Sequence, residues 1–296
     1  MPKVIKPIFF IGMGSSGSSI IFDTFMQHRG LAFFSQYCSK KYVKSPQLTA
    51  LHRFFCNYRP KNAHNLSYLK KLTPTSRESY KLWKYLCGNK FPNSFLRNIK
   101  ATHEEKTKTK NYISKLLFYQ GKNRFATKLT GPPRIEFLTS IFEDIVFIDI
   151  IRDPRAVVNS LLNVDFRKIK SLTTPYWDDS LADKDEIEWN KFDRSAISLA
   201  ALEWRSVYRL TKLELNKVEP NYMRIKYEDF IDSPQNTLKT ILKFVGLDYT
   251  YDADKFIKKT NFFSTNHKFR DNLSVTDINT INSICEKEID ELGYNL

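Results

Sequence analysis

Apolar residues run unbroken over Ile8-Phe9-Phe10-Ile11 before the chain turns to glycine and serine, the mark of a short strand buried on both faces. Residues 7–11 therefore predict a strand, Gly12 to Ser19 a small-residue turn, and Ser19 to about His28 a helix with Ile20, Ile21, Phe25 and Met26 facing inward. The run Ile145-Val146-Phe147-Ile148-Asp149-Ile150-Ile151 is the most strand-like in the chain. It stops at Arg152-Asp153-Pro154-Arg155 and passes into a helical Ala156 to Leu162, with Pro154 where a first helical turn tolerates it. Residues 193–217 predict a long helix, with Ile197, Ala200, Ala201, Trp204, Tyr208 and Leu215 near helical spacing, and Tyr222 to Tyr227 predicts another strand. Ser233-Pro234 opens a helix through Leu238, Ile241, Leu242 and Val245 that stops at Gly246, and a last helix runs from near Ser274, with Asp277 in its cap, to Leu292-Gly293.

Two long stretches lack this periodicity. Residues 40–122 mix Lys, Tyr, Phe and Asn around the polar run His103 to Lys110, where short helices and a mobile loop are expected. Residues 163–192 carry Thr173-Thr174-Pro175-Tyr176-Trp177-Asp178-Asp179 and are expected to form a lid. No repeat appears. Strands that precede helices through to the C-terminal part imply one α/β domain over residues 1–296. Its central sheet is expected to be mainly parallel and flanked by helices, with ligands at the carboxyl ends of the strands. The turns at 12–19 and 152–155 both stand at such ends.

Composition narrows the class. With 296 residues, 42% hydrophobic and 27% charged, the chain has enough apolar material for a packed core, which excludes a disordered tail. Its net charge of +15 draws anions: nucleic acid, an anionic membrane or a polyphosphorylated cofactor. The Lys-Tyr-Phe mixture at 40–122 would suit single-stranded nucleic acid, but no recognised nucleic-acid module accompanies it, and no nucleic-acid partner is expected. No stretch approaches the roughly 20 apolar residues of a membrane helix, so a soluble protein with no membrane partner is expected. Cys38, Cys56, Cys87 and Cys285 form no Cys-x-x-Cys pair and no ligand cluster with histidine, which points to no metal and to a reducing, cytoplasmic setting.

Gly12-Met13-Gly14-Ser15-Ser16-Gly17 fits a dinucleotide fingerprint after a strand, but Ala32 to Tyr37 offer no acidic residue for a ribose. It fits a nucleoside-triphosphate loop too, but Ser18 stands where that loop needs lysine, followed by Ser19. What remains is a loop whose N–H groups and hydroxyls, at the positive end of a helix, can cradle a phosphate. An ordinary tight turn would use the same glycines. Further on, Arg152 ends a strand and Ser160 follows two helical turns later, so that both could reach one phosphate; an Arg-Asp surface pair with a helix cap is the plainer reading.

The loop at 12–19, the run Ile151 to Ser160, and Tyr227-Glu228-Asp229-Phe230 with Ser233-Pro234 and Gly246-Leu247 together resemble the sulfotransferases that use 3′-phosphoadenosine 5′-phosphosulfate (PAPS). In motif layout the chain is nearest the carbohydrate, tyrosylprotein and bacterial members. The resemblance implies a P-loop-like three-layer fold and transfer of a sulfuryl group from PAPS to a hydroxyl or amine of a small molecule or glycan, with adenosine 3′,5′-bisphosphate (PAP) as product. It implies that Gly14, Ser15, Ser16, Gly17, Ser18 and Ser19 hold the 5′-phosphosulfate and that Arg152 and Ser160 hold the 3′-phosphate. Tyr227 would also face the nucleotide. Ala126 to Pro133 resembles the lysine-containing segment ahead of the second motif, which makes Lys128 the catalytic cation. Ser264 to Arg270 resembles the nucleotide-covering loop, with Ser264, Thr265, Lys268 and Arg270 on the donor.

Two departures stand out. The family's first loop usually carries Arg or Lys where this chain has Ser15, and the tyrosylprotein branch places a catalytic Glu near Gln36. A nucleotide enzyme of another class, NAD- or ATP-type, or a catalytically silent PAP-binding protein are the competing expectations. The acceptor side is expected from 40–122 and 163–192. Of the histidines, His28 is expected to cap or pack, His103 to be solvated, and His52, His64 and His267 to be structural or exposed; Asp23 is expected on the surface.

Overall fold

Five strands lie side by side in the order β2-β3-β1-β4-β5, every neighbouring pair parallel: β1 (Ile8–Gly12), β2 (Leu31–Ala32), β3 (Arg124–Thr130), β4 (Val146–Ile151) and β5 (Asn221–Lys226). The computed structural model describes residues 1–38, 45–53, 74–76, 78–164 and 172–295. The expectation of a mainly parallel sheet thus holds for every strand pair. β2 and β3 have no clear sequence pattern, because β2 is two residues long and in β3 the half-buried Lys128 interrupts the apolar run.

The helices in chain order are α1 (Ser18–Phe25), α2 (Tyr80–Cys87), α3 (Lys90–Asn93), α4 (His103–Gln120), α5 (Ile135–Ile141), α6 (Pro154–Leu162), α7 (Asp183–Lys191), α8 (Ala196–Val218), α9 (Tyr227–Asp232), α10 (Pro234–Val245), α11 (Tyr251–Lys259), α12 (Lys268–Asn272) and α13 (Val275–Leu292). Alternation along the strands assigns them to layers. Ile8 and Phe10 of β1 pack with Phe22, Phe25, Ile148 and Leu238 on one face, under α1 and α10. Phe9 and Ile11 pack with Trp83, Ile113, Phe125 and Phe147 on the other, under α2 and α4. A third cluster joins Val157, Trp204, Val207 and Ile284 beneath α6, α8 and α13. Among the described residues no helix is long and apolar enough to cross a membrane.

Two expectations fail for physical reasons, and a third segment holds more regular structure than its sequence shows. The charged run 103–110 is not a loop but the first two turns of α4. The hydroxyl of Thr102 accepts from Glu105 N at 3.2 Å while the Glu105 carboxylate accepts from Thr102 N at 2.8 Å, so a reciprocal cap starts a helix that shows no apolar stripe until Tyr112. The 163–192 stretch contains α7, which the single buried Trp189 seats in the third cluster and Arg205 ties to α8, donating to Asp185 at 2.8 Å and to Glu188 at 2.9 Å. An anchor of that kind leaves no hydrophobic period to read. Asp23 is buried, only 7% exposed, rather than a surface carboxylate. Cys38, Cys87 and Cys285 are buried free thiols, whereas Cys56 and His64 lie outside the described residues.

Gly12 sets how closely β1 and β4 approach. Its φ is 138°, and a Cβ there would stand 2.3 Å from the carbonyl oxygen of Ile150, a backbone atom that cannot step aside. In denaturant unfolding, Thr102→Ala should cost about 1 kcal/mol, the value of one N-cap. Gly12→Ala should cost more than that, and equal losses would show that the β1–β4 approach is not tight.

Candidate functional site

The carboxyl ends of β1, β3 and β4 meet around the turn between β1 and α1. Two residues of that turn have left-handed backbone, Ser15 with φ 65° and Gly17 with φ 78°, which folds the loop back so that Ser16 N donates to the Met13 carbonyl at 3.3 Å. The first N–H groups of α1 have no partner within the helix and carry its positive dipole end. Within the loop, Ser16 is 1% exposed and its hydroxyl has no hydrogen-bond partner, a buried polar group that an anion would satisfy. The glycines differ in necessity. A Cβ on Gly17 would fall 2.1 Å from the Tyr227 ring, whereas one on Gly14 would find nothing nearer than Leu161 at 3.8 Å. Tyr227 is therefore a wall of this loop, and Gly14 is not sterically demanded. Ser18 is buried and Ser19 exposed.

Arg152 and Arg155 divide the work of the second motif. Asp153 caps α6 by accepting from Arg155 N at 2.9 Å and pairs with the Arg155 guanidinium at 2.8 Å, so the Arg-Asp pair of the plainer reading exists, but buried and with Arg155. Arg152, 6% exposed, meets neutral acceptors instead: the Ser15 carbonyl at 3.0 Å, Thr265 Oγ1 at 2.9 Å and Asn266 Oδ1 at 2.9 Å. Its guanidinium lies 4.4 Å from the centre of the Tyr227 ring. Among the described residues no carboxylate forms an ion pair with it; Glu228 stops one bond short, accepting from Asn266 Nδ2 at 2.6 Å and from Tyr294 OH at 3.0 Å. Burial pulls the Arg152 pKa down, against the pull of Tyr227 and Glu228. A buried cation without a direct counter-ion is costly and favours an added anion.

On the other side of the loop, Lys128 of β3 donates to Ser19 Oγ at 2.7 Å and pairs with the Glu78 carboxylate at 3.0 Å. Glu78 also accepts from Tyr80 OH at 2.6 Å and from Thr130 Oγ1 at 2.8 Å. Burial pushes its carboxyl up, but Lys128 beside it and the hydrogen bonds from Tyr80, Lys128 and Thr130 outweigh that and hold it below the ordinary value. Gln36 braces the segment that delivers Glu78 by accepting from Thr75 N at 2.7 Å. No motif marks Glu78; only the register that brings Thr130 beside Gly12 shows its place.

Other expected residues make no hydrogen bond to Arg152 or Lys128. Ser160 lies half-buried on the last turn of α6 and shares no hydrogen bond with Arg152. Ser264 is exposed and accepts from Asn266 N at 3.3 Å. Lys268 and Arg270 are exposed on α12, where Phe269 is buried between Arg155 at 5.2 Å and Arg270 at 5.3 Å. Trp177 is packed down on the end of β3. It is 8% exposed and seated on Gly131, where a Cβ would fall 2.6 Å from its ring, and Asp178 exchanges backbone hydrogen bonds with Asn93 and Phe95 at 2.9 and 3.1 Å. His28 accepts from Gly30 N at 3.1 Å, a local turn as expected, and His52 is buried; His103 opens α4 and His267 is exposed.

A family profile described as the sulfotransferase family matches residues 91–251. No curated protein matches the chain. Among solved structures, the chain resembles sulfotransferase STF9 of Mycobacterium avium at 14% identity and a TM-score of 0.57, covering 99% of this chain and 78% of that one. It resembles the sulfotransferase domain of the curacin biosynthetic pathway at 15% identity and a TM-score of 0.53, covering 99% of each chain. Sulfotransferase STF1 of Mycobacterium tuberculosis H37Rv gives 12% identity and a TM-score of 0.51, over 96% of this chain and 76% of that one. At such identities the likeness is one of fold.

A ligand that binds only the folded chain raises its Tm. Inorganic sulfate should therefore stabilise the wild type, and Arg152→Gln should lose most of that gain; an undiminished gain in the variant would place the anion elsewhere.

Proposed function

The chain belongs to the sulfotransferase family, and from that premise we propose that it moves a sulfuryl group from PAPS to a hydroxyl or amine of a small molecule or glycan. The observation that carries the donor assignment is Arg152, a buried guanidinium beside the loop of β1 and α1 with no carboxylate paired to it among the described residues. Its fork suits bidentate contact with a phosphate. The donor's 5′-phosphosulfate would lie on the N–H groups and hydroxyls of Gly14 to Ser19, and its 3′-phosphate against Arg152, with Thr265 and Asn266 exchanging their bonds to make room. The orphaned Ser16 hydroxyl and the close wall of Tyr227 fit such a group.

The reaction is an in-line displacement at sulfur. The acceptor oxygen or nitrogen forms the new bond as the bond from sulfur to the bridging phosphate oxygen breaks, PAP leaves, and the acceptor's proton must go to a base. Lys128 supplies the positive charge that Ser15 lacks. Bonded to Ser19 at the mouth of the loop, it is placed to meet charge growing on the bridging oxygen, where a fixed cation does the most for the transition state. Glu78 is the carboxylate beside Lys128, kept ionised at neutral pH by its neighbours, and we assign it the acceptor's proton. This supports an active enzyme rather than a silent nucleotide binder. The acceptor would approach over the end of β3, where Glu78 and Tyr80 from one side and Trp177 from the other border Thr130 and Gly131. Parts of both expected acceptor-side segments, 40–44, 54–73, 77 and 165–171, lie outside the described residues.

Two measurements test this reading. Arg152→Ala should weaken PAP by at least about tenfold more than adenosine 5′-phosphate, as loss of a charged phosphate contact requires; equal losses would reduce Arg152 to a brace for the loop. Lys128→Ala and Glu78→Gln should each lower PAP release from PAPS, across a panel of hydroxyl and amine acceptors, by on the order of 10²-fold, with PAP affinity little changed. Ser15→Arg should partly rescue Lys128→Ala. Near-normal turnover in either single variant would remove that residue from the chemistry.

A further inference from the structure

Between the Arg152 guanidinium and the Glu228 carboxylate stands a single amide. Arg152 Nε donates to Asn266 Oδ1 at 2.9 Å, and Asn266 Nδ2 donates to Glu228 Oε1 at 2.6 Å. The amide fits only this way round. Reversed, its NH2 would face the N–H groups of the guanidinium and its oxygen the oxygens of the carboxylate, so both contacts would become repulsive. Asn266 is a neutral spacer whose dipole suits the charge at either end.

The carboxylate lies close behind that spacer. Glu228 Oε1 also accepts from Asp153 N at 3.2 Å, the backbone amide of the residue next to Arg152. Glu228 stands on the first turn of α9 directly after Tyr227, whose ring is 4.4 Å from the guanidinium. Its field crosses the gap: burial lowers the Arg152 pKa, and Glu228 is among the groups that act against it. The other carboxylate oxygen accepts from Tyr294 OH at 3.0 Å. Neither Asp153 N nor the Tyr294 hydroxyl carries a charge, so with the amide removed the guanidinium has the stronger claim on the carboxylate. A direct contact would give Arg152 the counter-ion that it lacks among the described residues, and would use the donors that an incoming anion needs.

The two bonds of Asn266 are separable. An anion arriving at Arg152 takes the place of Oδ1, whereas the Nδ2 bond to Glu228 involves no atom of the guanidinium and can persist. The carboxylate then stays tied back while the cation is engaged, and two anions are not brought together.

We propose that Asn266 is a positioning residue that keeps the Arg152 site open: it holds Glu228 off the guanidinium, and without it the carboxylate closes on Arg152 and fills the place of an incoming phosphate. The phosphate half of this statement rests on the donor reading given under Proposed function. The spacing half concerns Arg152, Asn266 and Glu228 alone and needs no ligand.

A double-mutant cycle separates spacing from simple support of the 264–266 segment. In calorimetry, Asn266→Ala should weaken PAP by about tenfold or more, the scale of one charged phosphate contact. Glu228→Gln in that background should restore most of the loss, while changing the wild type much less. Asn266→Asp carries a carboxylate to Arg152 itself, so it should weaken PAP as well, and there Glu228→Gln should restore little. Without ligand, Glu228→Gln should lower the Tm by about 2 °C or more beyond its effect on the wild type when Asn266→Ala is present, because it then breaks a formed ion pair. Undiminished PAP affinity in Asn266→Ala, or equal gains from Glu228→Gln in every background, would overturn the proposal and leave Asn266 as a brace for its loop. A wild type that binds no PAP would refute the donor reading instead. The ligand-free comparison would then decide, and equal Tm losses in the two backgrounds would overturn the spacer.

Discussion

One buried guanidinium organises the phosphate-loop end of this molecule. Arg152 is fixed by a carbonyl of the first loop, a hydroxyl and an amide of the 264–266 segment and the face of Tyr227, all neutral or nearly so. Interior charge is tolerable when paired, and here the pair is withheld: Asp153 is taken by Arg155, and Glu228 is taken by Asn266 and Tyr294. The outcome is a cation already stripped of most of its water, beside a loop that offers N–H groups. A dianion arriving there would displace the neutral acceptors Thr265 and Asn266 from a charge whose water is already gone, so part of the reorganisation is done before it binds.

The opposite wall of the loop is built on β3. Lys128 and Thr130 project from one strand end, and the parallel register with β1 brings them level with Phe10 and Gly12. The absent side chains matter as much as those present. Gly12 lets the sheet close behind the loop, Gly17 lets Tyr227 in, and Gly131 lets Trp177 lie against the strand end. Each is a place where packing of the site depends on a missing Cβ.

Legibility in the sequence followed how local the determinants are. The loop at 12–19, Arg152, Tyr227 and Thr265 sit at ends of elements whose boundaries are marked by apolar runs, glycines and prolines, so motif and element support one another. β1, β4, β5, α8, α10 and α13 were readable for the same reason. Glu78 was not, because nothing near it in the chain signals a site and its meaning comes from Lys128 and Thr130, about 50 positions on. α4 hid behind a charged start whose Thr102 and Glu105 cap is a two-residue signal. α7 hid because one buried tryptophan, Trp189, and the Arg205 ion pairs hold it in place of an apolar stripe. The split between Arg152 and Arg155 is beyond linear reading altogether, since both flank the same aspartate.

The contacts of Arg152 span 137 positions back to Ser15 and 113 forward to Thr265. Such contacts require long loops to close and are expected to be made after the local ones. A chain emerging from the ribosome could lay down β1 through β5 and expose every amide of the phosphate loop while its guanidinium still stood in water. Dehydration of that charge waits for the 264–266 segment to dock. The dry guanidinium would then be a late acquisition in the life of each chain, separated in time from the formation of the sheet that carries it.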